Sequence, residues 1–125
     1  MTHEFPVTVY YEDTDMGGVV YYANYLKFIE RARSTWVAEM GVDQLAMKRD
    51  GIVFVVRRVT ADYLAPARLG DTLIVRTTVA GATPARWILR QDVVLKDAVI
   101  FSAEVTIVAM NAAGKPTRLP AELRR

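Results

Sequence analysis

Residues 11–33 read YEDTDMGGVVYYANYLKFIERAR, and the parsing of this stretch decides the fold. A strand-like segment, Pro6 to Tyr11 with Val7, Val9 and Tyr11 on one face, runs into three acids, Glu12, Asp13 and Asp15. Gly17 and Gly18 form a hinge within a loop from Glu12 to Gly18. From Tyr22 to Met40 the pattern turns helical. Tyr25, Phe28, Ile29, Ala32, Trp36 and Met40 recur at steps of three and four, with Glu30, Arg31 and Arg33 between them. Gly41 is a natural stop. At about 1.5 Å per residue such a helix is roughly 30 Å long, enough to cross a small domain.

Beyond this helix the chain is mostly strand. Leu45 to Arg49 reads as a short second helix that ends before Gly51. Ile52 to Leu64 is rich in β-branched residues, and APARLGD breaks it with Pro66 and Gly70. Thr72 to Gly81 alternates Leu73, Val75, Thr77 and Val79 against polar neighbours. The next strand sets Trp87, Leu89, Gln91 and Val93 against Arg86, Ile88, Arg90 and Asp92. The last sets Val99, Phe101, Ala103, Val105 and Ile107 against Ile100, Ser102, Glu104 and Thr106. Short turns at Gly81–Thr83 and Lys96–Ala98 predict an antiparallel meander of these three strands. One long apolar helix with a curved antiparallel sheet is an α+β arrangement, the helix wrapped by the sheet, in a single domain spanning residues 1–125. Edge-to-edge pairing of two such sheets would give a dimer.

Composition narrows the chemistry. The chain is 52% hydrophobic and 24% charged, as in an ordinary globular protein. There are no cysteines, so there is no disulfide framework and no thiolate nucleophile. The only histidine, His3, lies near the N-terminus, where chains are often loose, which argues against a Ser-His-Asp triad and a zinc site. Ser34 and Ser102 have no base partner. No signal peptide and no membrane-length apolar run is visible, so a cytoplasmic protein is expected. The net charge is only +2, yet nine arginines lie between Arg57 and Arg125. They read either as a solvated surface or as a site for a phosphate-bearing small molecule. Their dispersion along the chain speaks against nucleic acid.

Asp15, just ahead of Gly17-Gly18 at the strand-to-helix corner, admits two readings. One is turn chemistry, which Asp and Gly favour. The other is a reactive carboxylate. Glu12, Asp13 and Asp15 are close in sequence, so like charges would perturb one another. The glycines let a ligand approach the backbone. A helix N-terminus supplies unpaired N–H groups and a positive dipole end. A carboxylate beside such N–H groups is what hydrolysis of an activated acyl group requires. The N–H groups hold the developing oxyanion, and the carboxylate attacks or activates water.

YYEDTDMGGVVYYANYLKFIERAR, followed by FVVRRVTADYLAPARLGD and by RLP near the end, resembles the hot-dog-fold acyl-CoA thioesterases of the 4-hydroxybenzoyl-CoA thioesterase family. It is most similar to their Tol-Pal-associated (YbgC-type) branch. The resemblance implies a homodimer sharing one continuous sheet, or a homotetramer, with the site at the dimer interface. It implies hydrolysis of an acyl-CoA without metal or redox cofactor, CoA being part of the substrate. It places the catalytic aspartate on Asp15 and the polarising backbone N–H near Tyr22, where the branch usually carries His. It places an acid that meets an aromatic acyl group's phenol on Glu30, which also reads as part of a surface ion network with Arg31 and Arg33. Asn24 is expected to cap the helix or to order the loop. Arg57, Arg58, Arg86 and Arg90 are the candidates for CoA phosphates. An acyl carrier protein as the substrate's carrier, and a non-catalytic acyl-CoA-binding scaffold, are the two alternative readings.

Overall fold

The computed structural model describes residues 1–124; Arg125 lies outside the described residues. In chain order the elements are β1 (Thr2–Thr8), α1 (Asn24–Glu39), α2 (Gln44–Arg49), β2 (Ile52–Tyr63), β3 (Thr72–Ala82), β4 (Arg86–Leu95), β5 (Ala98–Asn111) and β6 (Pro116–Thr117), with single 3₁₀ turns at Tyr11–Asp13 and Ala121–Leu123. The sheet runs β1-β3-β4-β5-β2, and every pairing is antiparallel. The short β6 continues the line of β4 beside the end of β5. This is the hot-dog arrangement: one long helix held by a six-stranded sheet.

The apolar stripe of α1 is the reason. Tyr25, Phe28, Ile29, Ala32 and Trp36 are buried against Val75, Leu89, Phe101 and Val105 on the facing side of the sheet. Burying a large apolar side chain contributes about 1.5–3 kcal/mol, so the stripe outweighs the absence of any side-chain cap at Ala23, the N-cap residue. Gly41 ends the helix with φ +89° and donates to Ala38 O at 3.0 Å. Asp43 opens α2, accepting from Leu45 N at 3.0 Å and Ala46 N at 3.1 Å.

Three expectations need correction. The first strand is Thr2–Thr8 rather than Pro6–Tyr11, because Pro6 is accommodated on an edge strand paired to Ile74 on its one bonded side. Tyr11 then turns outward in the 3₁₀ turn and is exposed. His3 is not loose: it lies in β1, stacks on Trp36 at 5.6 Å and meets Glu39 at 3.1 Å. In β5 it is Ile100 that is buried and Val99 that is exposed. A register shift between Val93↔Phe101 and Val94↔Val99 leaves Ile100 as an extra residue, and such a bulge resets the alternation.

Candidate active site

The corner between β1 and α1 is a miniature hairpin. Thr14 bridges Val20, Asp15 N–H donates to Val19 O at 2.9 Å, and Gly18 N–H donates to Asp15 O at 3.0 Å. With φ +76° at Gly18, this is a tight turn closed by a left-handed residue, which glycine adopts without strain. Asp15 stands at the head of the turn, exposed, with Oδ1 accepting from Gly17 N–H at 2.8 Å. Oδ2 accepts nothing among the described residues. A side chain at Gly17 would place its Cβ 3.1 Å from Asp15 Oδ1, so Gly17 keeps space for that carboxylate.

The three acids do not act as one cluster. Asp13 is 4% exposed and is consumed by structure. Its Oδ2 accepts from Tyr10 N–H and its Oδ1 from Asn24 Nδ2, each at 2.9 Å, while its carbonyl takes Tyr21 N–H at 2.9 Å. Glu12 and Asp15 point to solvent. Asn24 is therefore not the helix cap: it is the first helical residue, and its side chain orders the loop.

Tyr22 lies just before α1, and its ring is exposed. Its carbonyl accepts from Tyr63 OH at 3.0 Å. Its N–H and that of Ala23 find no acceptor among the described residues, as expected for groups ahead of a helix start. A depression of about 290 Å³ lies beside them, lined by Val20, Tyr22, Tyr25, Tyr63, Leu64 and Pro66. Burial pushes the Tyr25 hydroxyl above its ordinary value, and Tyr63 moves the same way through desolvation and the neighbouring Tyr22.

A second segment holds the hairpin in place. Val20 N–H donates to Ala67 O at 2.8 Å, Val19 bridges Arg68, and Gly70 N–H donates to Val9 O at 3.0 Å. Ala67 N–H in turn donates to Tyr25 OH at 3.2 Å. The APARLGD break is thus a cradle for the acidic loop, and it brings the exposed Arg68 alongside it. Tyr63 escaped the sequence reading and Arg68 entered it only among the dispersed arginines, because nothing local to them signals contact with a loop so distant in sequence; Asp13 was read only as a like charge beside Asp15, and its buried structural role was not legible.

The remaining candidates disperse. Glu30 is exposed, accepts from Ser34 Oγ at 2.9 Å, and stands beside a cavity between α1 and β2. Arg33 goes under the helix and donates to Gln91 Oε1 at 3.1 Å, while Gln91 Nε2 reaches Ile29 O and Thr77 Oγ1. Burial lowers the Arg33 pKa, partly offset by Glu30. Arg57 and Arg58 are exposed at a bulge in β2, where the register shifts between Val56 and Arg58. Arg86 and Arg90 are exposed on the sheet face opposite α1, Arg90 at 3.3 Å from Asp92. None of these four makes a hydrogen bond or ion pair with the acidic loop.

A family model described as thioesterase-like superfamily matches residues 9–125. The chain belongs to that superfamily. It is 40% identical over 118 residues to the acyl-CoA thioester hydrolase YbgC of Escherichia coli, covering 93% of this chain and 88% of that one. It is 36% identical over 122 residues to the acyl-CoA thioesterase YbgC of Haemophilus influenzae, covering 96% and 90%. A probable thioesterase from Bartonella henselae superposes with a TM-score of 0.90 at 34% identity, over 96% of this chain and 100% of that one. The resemblance carried by residues 11–33 and the cradle segment is thus borne out, and by class this superfamily member is a thioester hydrolase.

Proposed function

We propose that this protein hydrolyses a short-chain or aromatic acyl-CoA to the free acid and CoA, with Asp15 as the reactive carboxylate. The observation that carries the reading is one hairpin holding an exposed carboxylate with a free oxygen together with the open N–H groups of Tyr22 and Ala23. The names of the similar Escherichia coli and Haemophilus influenzae proteins support acyl-CoA as the substrate class. The thioester oxygen accepts from Tyr22 N–H, so charge developing on it meets a fixed donor. Asp15 Oδ2 then acts in one of two ways. It attacks the carbonyl carbon, expelling CoA thiolate and leaving an anhydride that water opens, or it takes a proton from a water that attacks. Gly17 and Gly18 give the thioester room. An exposed arginine, Arg68 beside the loop or one of Arg57, Arg58, Arg86 and Arg90, meets the CoA phosphates.

The working unit is a homodimer or a pair of dimers joined through β2. β2 is a twelve-residue edge strand with Val56, Val59 and Tyr63 exposed, whereas the opposite edge, β1, is seven residues long and carries Pro6. The test is release of CoA thiol from aromatic, short and long acyl-CoAs by wild type and Asp15→Asn. Asparagine still accepts from Gly17 N–H, so the turn survives while kcat falls about 10²–10⁴-fold. Single turnover in ¹⁸O-water identifies the anhydride route where water opens it at the aspartyl carbonyl, since that step labels Asp15 and releases unlabelled acid, whereas general-base attack labels the acid alone. Full activity in Asp15→Asn would remove the assignment. Turnover of acyl carrier protein thioesters alone would move the substrate to a protein-borne acyl group.

A further inference from the structure

The carbonyl of Tyr22 is held from outside its own helix. Leu26 N–H, four residues on, turns to Ala23 O at 3.2 Å rather than to Tyr22 O. Tyr22 O therefore stands outside the α1 ladder, and its hydrogen bond comes from Tyr63 OH, 41 residues away in sequence, at 3.0 Å. No side chain caps the helix at Ala23, and Asn24 N–H is already tied to Tyr21 O at 2.8 Å. The peptide unit joining Tyr22 to Ala23 thus has one hydrogen-bonded anchor among the described residues, and that anchor is a phenol.

This peptide unit lies between the open N–H groups of Tyr22 and Ala23. In a trans peptide the C=O and N–H point in opposite directions, so a donor on Tyr22 O fixes where Ala23 N–H points on the far side. It also limits rotation of the Tyr22 backbone, and with it the Tyr22 N–H. A hydrogen bond accepted by the carbonyl polarises the amide and makes its N–H the stronger donor. Donors that stabilise a developing oxyanion are effective because they are fixed beforehand.

The phenol is itself rigidly placed. Its ring stands edge-on to Phe101 at 5.0 Å, Tyr25 at 5.7 Å and Tyr22 at 6.1 Å. Its backbone pairs with Phe101 in β5, and the next two N–H groups, of Leu64 and Ala65, both donate to Ile100 O. The ring also lines the depression of about 290 Å³ beside the helix start. Burial, with Tyr22 beside it, raises the pKa of the hydroxyl, so it keeps the proton it donates.

We propose that Tyr63 is a positioning residue for thioester hydrolysis, holding the Tyr22 carbonyl so that the N–H groups of Tyr22 and Ala23 are fixed and polarised for the oxyanion. The proposal rests on the thioesterase reading above and adds the side chain that sets its donors.

The test compares wild type, Tyr63→Phe and a protein with difluorotyrosine in place of Tyr63, with melts at each pH to establish folding. Tyr63→Phe keeps the ring and its packing. Its kcat falls about tenfold or more, short of the 10²–10³-fold lost with an oxyanion donor itself, while KM stays within about twofold. Its Ala23 amide proton moves upfield, a signature read without turnover. Fluorination makes the phenol more acidic and changes little else. In wild type kcat declines at alkaline pH as the hydroxyl loses its proton, and in the difluorotyrosine protein that decline moves to lower pH, together with the phenol ionisation seen by fluorine NMR. Tyr22 on the corner loop and Tyr25 on α1 are the titratable groups that the ring touches, and both are unchanged in this comparison. A folded Tyr63→Phe with wild-type kcat overturns the role alone. So does a rise in KM without loss of kcat, or an alkaline decline that ignores fluorination. A wild type inert toward every thioester overturns the role together with the reading on which it stands.

Discussion

Asn24 Nδ2 donates to Asp13 Oδ1 at 2.9 Å in the protein interior, which ties the first turn of α1 to the loop that bears Asp15. Both partners are buried, so neither finds water if the other is lost. Hydrogen bonds to a charged group contribute about 1.5–3 kcal/mol, and a buried group left unsatisfied costs a similar amount. Asn24→Ala is therefore expected to lower the unfolding free energy by about 2 kcal/mol. Asn24→Asp should cost more, since it sets a second carboxylate against Asp13 in a desolvated site. Urea titration measures both. In each variant kcat should fall more than KM rises, because the hairpin loses its alignment with the helix start. Unchanged stability in Asn24→Ala would mean that the contact does not hold the loop.

Gly17 and Gly18 are adjacent but constrained differently, and alanine should separate them. A Cβ at Gly17 stands 3.1 Å from Asp15 Oδ1, while the backbone there is not left-handed. Gly17→Ala should leave stability within about 0.5 kcal/mol and lower activity, since the carboxylate must shift. At Gly18 nothing lies within 4 Å of a Cβ, but φ is +76°. Gly18→Ala should cost about 1–2 kcal/mol of stability. Its effect on activity should come only through a loosened turn. Thermal melts alongside kcat for the two variants check the contrast, and an identical pattern in both would reject it.

Burial raises the Tyr25 pKa above its ordinary value of about 10, with the neighbouring Tyr63 and Asp71 adding to the shift. The folded state then binds the phenol proton more tightly than the unfolded state. The stability this contributes is fully present below pH of about 10 and is lost as pH rises through the folded value. Tyr25→Phe has no proton to lose. At neutral pH it should be less stable by about 1–3 kcal/mol, because Ala67 N–H loses its acceptor in a buried place. Above pH of about 10 the two curves should converge. Denaturation from pH 8 to 11, with care for other titrating groups, provides the comparison. Parallel curves would show that Tyr25 does not carry the alkaline loss.

The fold was legible where a period repeats. Tyr25 to Trp36 marks the buried face of α1 at helical spacing, and Trp87 to Val93 marks the inner face of β4 at a period of two. Single-residue insertions are invisible to such counting. The extra residue in β5 reverses Val99 and Ile100, and the shift at Arg57 leaves β2 without clean alternation. Chemistry was less legible than fold. Asp13 and Asp15 are the same residue type two positions apart, yet one is buried and one exposed. What separates them is the amide of Asn24, eleven residues from Asp13, and no local pattern predicts that meeting. Asp15 was legible from its place ahead of two glycines and a helix start, and the motif resemblance gave it the catalytic role; the structure shows there an exposed carboxylate whose Oδ2 accepts nothing among the described residues.

Assembly gives the last prediction. β2 ends the sheet with its outer edge unpaired among the described residues, and Val56 and Val59 are about two-fifths exposed along it. A long edge with apolar side chains and no proline invites a second copy of itself. In such a pair Val59 lies near the seam, and a charge there meets its own copy across a two-fold axis. Val59→Lys should convert a dimer to monomer in sedimentation velocity at micromolar concentration. The fold should remain, because Val59 is already partly exposed and pairs with Val105 through backbone bonds that lysine also makes. Thioester hydrolysis should fall together with dimer content if the site lies at the dimer interface, as the family resemblance implies. A wild type that is monomeric and fully active would show that one chain suffices. A dimeric Val59→Lys with wild-type activity would move the interface away from β2.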